Sequence, residues 1–493
     1  MGITPRMRSL AGVLALLTLI CALAAGPAGA APLKSDNVRL LGKHPEAAGA
    51  IGARFSPDGD TMYVTAATGL FIYDVSEPAV PELLSHLTLP HFENEDVDVG
   101  DGVVVISNDP SFSTVGALYV IDVKDPRKPA LRSVTPTQLP ATPLNELLGV
   151  KGTGNGHIAN CIQGCRYLWT TGTEEGIAVY DLADKSAPKF LGTFTMPVPK
   201  ERAGEPTDEP GFTHDVFVDK AGIAWITGED GTFGYRTTGN PLKPQLVFRS
   251  DENVTNTGNS GPGVPGNANE SPLDFLHHNS MRTSLTARRK GKARIASSRP
   301  GVGGSGDVMA VTEEDYTRPG CDGQGSLQTW QITKGRNSDG TRKLELLDLW
   351  TTELNELLSL RGRSPATANC SAHWFDVDRG LVAQGWYDQG VRFLDISNPR
   401  KIRQVGYYAT AGSFWAAYFA PSDPKRQVVY GIDTAGGIDV LRINRSKKAL
   451  RTVRAPTKGL AKAPAARYQA SKKYGMVCSL PGQQLLRRAG IKN

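Results

Sequence analysis

Residues 118–134 read LYVIDVKDPRKPALRSV, and close variants of this stretch recur along the chain. A short β-rich run ends in aspartate, a turn with proline or serine follows, and a second β-rich run closes the stretch. The other copies are LFIYDVSEPAVPELLSHL (70–87), IAVYDLADKSAPKFLGTF (177–194) and VRFLDISNPRKIRQVGYY (391–408). Repetition of this kind predicts a chain built from one small β-unit used several times.

A second strand pair precedes these copies. Examples are ARFSPDGDTMYVTAATG (53–69), HDVFVDKAGIAWITGEDG (214–231) and HWFDVDRGLVAQGWYDQG (373–390), in which alternating apolar residues flank an Asp/Gly turn. The repeat is therefore a unit of four strands, A to D, about 40 residues long. Such a unit cannot bury both of its faces alone and must stack against its neighbours.

We predict seven units, at 50–88, 94–135, 155–197, 213–250, 277–352, 372–409 and 414–443. The last unit lacks strand D, whereas NVRLLGKH (37–44) looks like a strand D without a unit. Pairing the two would close a ring and remove exposed sheet edges. The predicted fold is all-β, a seven-bladed β-propeller over 37–443 whose N-terminal strand completes the last blade. Six or eight blades stay open, because units four and five are irregular.

The strand-C motif, LYVIDVKDPRKP and its copies, resembles the LVIVD-repeat family of secreted bacterial β-propeller proteins. The match extends to about residue 443 and is good in units one, two, three and six. It is weak in unit four (FGYRTTGNPLKPQLVF) and unit five (LQTWQITKGRN). The resemblance implies a propeller outside the cell. It implies no reaction, because the family is defined by its repeat.

The two ends of the chain have their own compositions. Residues 1–30 combine Arg6 and Arg8, an apolar run and a small-residue cleavage site, which predicts a signal peptide and a secreted, extracellular protein; an uncleaved membrane anchor is the alternative. No later segment is apolar and long enough to span a membrane.

Residues 444–493 are predicted to be a basic, largely disordered tail. From 446 onward the tail has twelve Lys or Arg and no acidic residue, so without it the net charge of +6 becomes about −6. We expect it to rest on an anionic cell-envelope polymer or lipid, or simply to solubilise the protein. No nucleic-acid partner is predicted.

Secretion permits disulfides. Cys161 and Cys165 are expected to close a local turn, and Cys321 and Cys370 to join two loops on one face; a thiol metal or redox motif at 161–165 is the alternative. Cys478 is left over, either free or paired between chains.

Four of the eight histidines stand at the start of strand A in consecutive units: His157, His214, His278 and His373. Strand A lines the axis of a propeller, so we expect these imidazoles at one level around it. The equivalent positions in units one, two and seven are read as Arg54, Glu95 or Asp96, and Trp415.

Imidazole nitrogens suit Fe, Cu or Zn, and neighbouring carboxylates would orient them. We therefore predict a divalent transition-metal site, the only cofactor expected, with supporting or alternate residues on nearby loops: His277, Glu175, Glu229, Glu314 and Asp388. The alternatives are histidines that only hydrogen-bond neighbouring blades, and a metal-free polar pocket. The pattern is similar to that of carotenoid oxygenases, which hold iron with four axial histidines, and of selenium-binding/methanethiol oxidase-type propellers.

Two functions follow from these observations. The first is a secreted binding or scaffold protein at the cell surface or outside the cell, with an extracellular protein or a small ligand as its partner. The second is a metal-dependent enzyme, oxidoreductase-like, with the four-histidine site on the axis. Catalytic residues cannot be assigned, since the chain has no G-x-S-x-G, P-loop or H-E-x-x-H motif.

Overall fold

The computed structural model describes residues 32–454 except 90–96, 109–115, 139–155, 174–175, 257–271, 298, 316–324, 353–370 and 411. The predicted signal peptide, the Cys321–Cys370 pair, Cys478, Glu175 and most of the basic tail lie outside these ranges. In the part that is described, no helix is long and apolar enough to cross a membrane.

Most strands fall into four-stranded antiparallel sets, numbered here in chain order, and the first strand of the chain adds a fifth strand to the sheet of set six. The chain begins with β1 (Leu33–Lys34), β2 (Val38–His44) and a short 3-10 turn (Pro45–Ala47). Set one is β3 (Ala50–Phe55), β4 (Thr61–Ala66), β5 (Gly69–Asp74) and β6 (Glu82–Thr88). Set two is β7 (Val97–Gly100), β8 (Val103–Asn108), β9 (Gly116–Asp122) and β10 (Ala130–Gln138). Set three is β11 (Ala159–Ile162), β12 (Tyr167–Thr173), β13 (Gly176–Asp181) and β14 (Lys189–Phe194).

The second half continues in the same way, with two added hairpins. The first hairpin is β15 (Glu201–Arg202) and β16 (Glu205–Pro206), and set four is β17 (Thr213–Val218), β18 (Ile223–Gly228), β19 (Gly231–Arg236) and β20 (Leu246–Ser250). Set five opens with β21 (Leu276–Arg282), is interrupted by the hairpin β22 (Leu285–Thr286) and β23 (Arg294–Ile295), and ends with β24 (Val308–Glu314), β25 (Ser326–Arg336) and β26 (Arg342–Trp350). Set six is β27 (Phe375–Asp378), β28 (Leu381–Gly385), β29 (Val391–Asp395) and β30 (Arg403–Ala409), and set seven has β31 (Phe414–Phe419), β32 (Val428–Asp433) and β33 (Gly437–Ile443).

Strand β2 supplies the fourth strand of set seven. It pairs antiparallel with β33, from Val38 opposite Ile443 to His44 opposite Ile438. The inner strands of neighbouring sets contact one another in the order β3, β7, β11, β17, β21, β27 and β31, and β31 contacts β3. The described strands thus form a closed ring of sheets, and the predictions of an all-β propeller and of closure by the N-terminal strand are confirmed.

The repeated strand-C motif packs against two neighbouring sets at once. In β9, Tyr119 and Ile121 are buried against set one, and Leu118 and Val120 are buried against set three. Because successive side chains of a strand point to opposite faces, a sheet packed on both sides needs a continuous apolar run. The motif's aspartate then starts the turn, since the Asp122 carboxylate accepts a hydrogen bond from the Lys124 backbone at 3.0 Å.

Sets four and five form one sheet, which explains their irregular sequences. The outer strand β20 pairs in parallel with β26, with Phe248 opposite Arg342 and Ser250 opposite Leu344. The result is an eight-stranded sheet in which the long hairpin of β25 and β26 reaches the neighbouring set.

The start of the predicted tail, residues 444–454, lies against set six. Arg445 pairs with the buried carboxylate of Asp378, and the backbone N–H of Val453 donates to the Gln404 carbonyl at 3.1 Å. Leu450 packs on the apolar cluster between sets six and seven.

Candidate metal centre

Two of the four predicted histidines stand at β-bulges of the innermost strands. The register of β17 with β18 shifts between Thr213 and Asp215, so that His214 is the additional residue. The register of β21 with β24 shifts in the same way between His277 and Asn279, at His278. A bulge re-aims a side chain without ending the strand.

The four axial histidines, His157, His214, His278 and His373, form a continuous row of buried rings. Ring centroids lie 4.4 Å apart from His157 to His214, 4.0 Å from His214 to His278, and 4.0 Å from His278 to His373. The Nε2 atoms of His157 and His214 are 3.0 Å apart. Each residue is at most 1% exposed, so bulk water does not solvate these rings.

Backbone carbonyls define the tautomers of two rings. The Nδ1–H of His214 donates to the carbonyl of His278 at 2.9 Å, and the Nδ1–H of His373 donates to the carbonyl of Trp415 at 2.7 Å. In a neutral imidazole the other nitrogen then carries a lone pair. The Nε2 atoms of His214 and His373 are therefore in the form that binds a metal ion.

Glu314, at the end of β24, comes together with two of the four histidines, His214 and His278, whereas His157 and His373 are not in this group of ligand atoms. The Oε2 atom of Glu314 lies 3.7 Å from the Nε2 atom of His278. The hydroxyl of Tyr387 donates a hydrogen bond to the other carboxylate oxygen of Glu314. One ligand atom each from His214, His278 and Glu314 lies within 4.8 Å of the other two. These three residues come from the same eight-stranded sheet.

The surroundings hold the imidazoles neutral. Burial, with a contribution from the neighbouring rings, places the pKa of His214 and of His278 well below the usual value, and burial lowers the pKa of His373 to about 3. Because a protonated imidazole cannot bind a metal, this environment favours ligation at neutral pH.

The residues fit a transition-metal ion. The Nε2 of His278 is buried and makes no hydrogen bond to any described residue, although a buried polar atom normally has a partner. The 3.0 Å between the Nε2 atoms of His157 and His214 suits two adjacent ligands of one ion at about 2.1 Å each. Without an ion, the same distance is that of one N–H···N hydrogen bond from His157 to His214.

Of the supporting residues predicted from the sequence, one lies beside the row of histidines, three do not belong to the group of ligand atoms, and one is outside the described residues. Glu314 lies beside the row, whereas His277 points away from it, donating through Nε2 to the Pro272 carbonyl at 3.0 Å and accepting at Nδ1 from Thr232 at 2.9 Å. Burial lowers the pKa of His277 to about 4. Glu229 accepts from the backbone N–H of Phe212 at 3.1 Å, which gives it a structural partner.

Asp388 is buried in the turn after Tyr387 and lies outside the group of three ligand atoms. Glu175 lies beyond the described residues. The roles of Tyr387 and of the Trp415 carbonyl could not be predicted from the sequence, because they depend on contacts between set six and its neighbours. Arg54 was predicted at the position equivalent to the histidines, but the bulge of β3 is at Ile51, between Ala50 and Gly52.

The cystine predicted in set three is present. Cys161 and Cys165 are disulfide-bonded, with their Cα atoms 4.4 Å apart, and close the turn between β11 and β12. This turn is at the end of β11 opposite to His157.

Comparison with known proteins gives two similar solved structures and no related sequence. No protein-family model matches the chain and no curated protein sequence is similar to it. The β-propeller domain of Cps50 (Swd1) from Myceliophteria thermophila is a similar solved structure, with 10% identity over 84% of this chain and 100% of that chain and a TM-score of 0.46. The WD40 repeats of RRP9 are similar at 9% identity, over 84% of this chain and 99% of that chain, with a TM-score of 0.46. The fold assignment itself rests on the strand pairing, and the resemblance to the LVIVD-repeat family stays a prediction.

Proposed function

We propose that the four axial histidines hold a divalent transition-metal ion and that the protein is a metal-dependent, oxidoreductase-like enzyme. The observation that supports this most is the row of four buried imidazoles in which the Nε2 of His278 has no hydrogen bond to a described residue. Histidines with a purely structural role resemble His277, whose two ring nitrogens both have partners. Nitrogen-rich sites with a carboxylate favour Fe, Cu or Zn.

The chain's own residues would have three tasks in this function. The carbonyls of His278 and Trp415 orient two rings, the Tyr387 hydroxyl orients Glu314, and the apolar packing around the row excludes water. A bound ion would supply a Lewis acid or a redox centre.

Metal analysis tests the proposal. The purified full chain, reconstituted separately with Fe, Cu and Zn, should bind about one ion per chain. The double variant His278→Ala/His373→Ala should lose it, whereas His86→Ala, at an exposed histidine of set one, should retain it. Circular dichroism of each variant reports whether the fold is intact. A well-folded wild-type protein that binds none of the three metals stoichiometrically would refute the proposal.

We also propose that the protein acts outside the cell, where it would additionally serve as a binding or scaffold protein for an extracellular protein or small ligand. The leader-like residues 1–30 and the Cys161–Cys165 disulfide support this, because disulfides persist in oxidising compartments. Fractionation of the source cells and N-terminal sequencing test it. The mature chain should be found outside the cytoplasm and begin near Ala31; a cytoplasmic chain that begins at Met1 would contradict the proposal. Binding of the basic tail to anionic cell-envelope polymer is part of the same proposal.

A further inference from the structure

A cleft of about 740 Å³, here called the basic cleft, lies against set six. Three separate segments of the chain form its walls: the turn between β29 and β30, the hairpin of β22 and β23, and the beginning of the tail, residues 445–452. The charged residues that line it are Lys292, Asp395, Lys401, Arg403, Arg445, Lys447 and Arg451. All but one of these side chains are cations, so the cleft has a large excess of positive charge.

The hairpin and the tail are both fixed to the ring. The backbone N–H of Ala293 donates to the carbonyl of Ser397 at 2.7 Å, which holds the hairpin on the turn of set six. In the tail, the side-chain amide of Gln404 donates to the carbonyl of Val453 at 3.0 Å, and Leu450 packs on the apolar cluster between sets six and seven. The fold itself therefore brings the positive charges of the three segments together.

Two of the six cations already have a carboxylate as a partner. Arg403 pairs with Asp395, and Arg445 pairs with the buried Asp378. The other four are exposed and form no ion pair with any described residue: Lys292, Lys401, Lys447 and Arg451. Like charges that are held close together repel one another, so a bound anion would stabilise this arrangement.

The distribution of the cations favours a long anion over a small one. Residues 285–306 contain six Lys or Arg and no acidic residue, and the exposed side chains of Arg288, Arg289 and Lys290 continue the basic surface along the hairpin. A single small anion neutralises only the cations around it, whereas a polymer strand reaches cations on all three walls. A flat lipid surface would touch only the rim of a concave site.

We propose that the basic cleft binds one strand of an extended anionic polymer that carries acidic groups along its length. The inference rests on the extracellular function proposed above, and it assigns to the folded ring a share of the polymer binding that was proposed there for the tail. The attraction is electrostatic and exposed to solvent, so added salt should weaken it.

The repeat itself supplies a control. DISNPRKI (395–402) in set six corresponds to DVKDPRKP (122–129) in set two, so that Lys128 occupies the place in the motif that Lys401 has in set six. Both lysines are exposed, but Lys128 does not line the cleft. Lys128→Ala thus removes the same charge from the same kind of turn.

Binding of fluorescently labelled inorganic polyphosphate to the full chain, followed by anisotropy at several salt concentrations, tests the proposal. Lys401→Ala and Lys292→Ala should each weaken binding about 5-fold, whereas Lys128→Ala should bind like the wild type. Circular dichroism reports whether each variant is folded. Equal affinities of Lys401→Ala and Lys128→Ala, or no binding of polyphosphate to the wild type at low salt, would overturn the proposal.

Three further probes test the class of ligand. Unlabelled orthophosphate should compete far less well than polyphosphate at the same concentration of phosphate groups, and dextran, a neutral polymer, should not compete. Equal competition by orthophosphate would mean a site for a small anion and would overturn the polymer. Vesicles of phosphatidylserine and phosphatidylcholine are the third probe. If Lys401→Ala weakened vesicle binding more than polyphosphate binding, the partner would be a lipid surface and the proposal would be wrong.

A variant of the full chain separates the cleft from the rest of the tail. It combines Lys458→Gln, Lys462→Gln, Lys472→Gln and Lys473→Gln. In this background Lys401→Ala should still weaken polyphosphate binding about 5-fold. If the four tail substitutions weakened binding and Lys401→Ala had no effect, the cleft would be refuted and the binding proposed for the tail would stand. The reverse result would refute the role of the tail and leave that of the cleft.

Discussion

Val38 offers a sharp test of ring closure. It is the first residue of β2, it is 1% exposed, and its partner across the sheet is Ile443 of the last strand. Its side chain packs in the cluster between sets six and seven with Val405 and Tyr408. The substitution Val38→Ala removes two methyl groups from this cluster and leaves the backbone pairing intact.

The expected cost follows from burial. Each buried methyl or methylene contributes about 0.8 kcal/mol, and the space left behind adds a cavity term, so Val38→Ala should lower the free energy of unfolding by about 2 kcal/mol. This is about a 30-fold change in the unfolding equilibrium constant. Val80→Ala is the matched control, because Val80 is 73% exposed and should cost less than about 0.5 kcal/mol.

Urea unfolding followed by tryptophan fluorescence measures both variants against the wild type. The midpoint should shift clearly for Val38→Ala and little for Val80→Ala, with unchanged slopes. If the two variants were equally stable, residues 38–44 would not be packed on the last set, and the closure of the ring by the N-terminal strand would be wrong.

Three further predictions concern charge and covalent links. Burial, with the neighbouring Asp439, raises the pKa of Asp433 to about 6, so its stabilising contribution is present below about pH 4 and is lost as the pH rises through 6. Relative to Asp433→Asn, the metal-free wild type should therefore lose roughly 2 kcal/mol of unfolding free energy between pH 4 and 7, and parallel pH profiles would contradict this. Replacing both Cys161 and Cys165 by serine should cost about 2 kcal/mol under oxidising conditions and nothing in the presence of a reductant, as measured by urea unfolding. Arg445→Met removes the more buried of the two arginines that pair with the wholly buried Asp378 carboxylate, leaves only the partly exposed Arg379, and should cost about 2 kcal/mol. The double variant with Asp378→Asn should recover part of this loss in a double-mutant cycle, and no recovery would mean that the pair does not interact.

The propeller could be predicted because its signals are local. Alternating apolar runs, and an aspartate that begins each turn, as at Asp122, are written within about 20 residues of one another. Counting strands leaves one strand D without a unit, at 37–44, and one unit without a strand D, at the end of the ring, so the pairing of the two could be predicted. The parallel pairing of β20 with β26 has no such signal, since it depends on two edges far apart in the sequence.

The candidate site could be predicted in part for the same reason. The four axial histidines were found from their place in the repeat, and the bulge at His278 accounts for which member of the 277–278 pair lies in the row. The hydrogen-bond partners of these rings could not be predicted from the sequence. The carbonyl of Trp415 and the hydroxyl of Tyr387 approach from neighbouring strands, and their distances follow from the stacking of whole sheets.

Because β20 pairs in parallel with β26, sets four and five can be replaced or removed in an engineered chain only together. Repeat proteins are shortened or recombined by whole repeats because each repeat contacts only its neighbours. A cut between these two sets would expose the edges of β20 and β26, and an exposed edge is a template for aggregation. A chimeric or shortened ring should therefore exchange residues 213–350 as a single cassette, in which His214, His278 and Glu314 are transferred together.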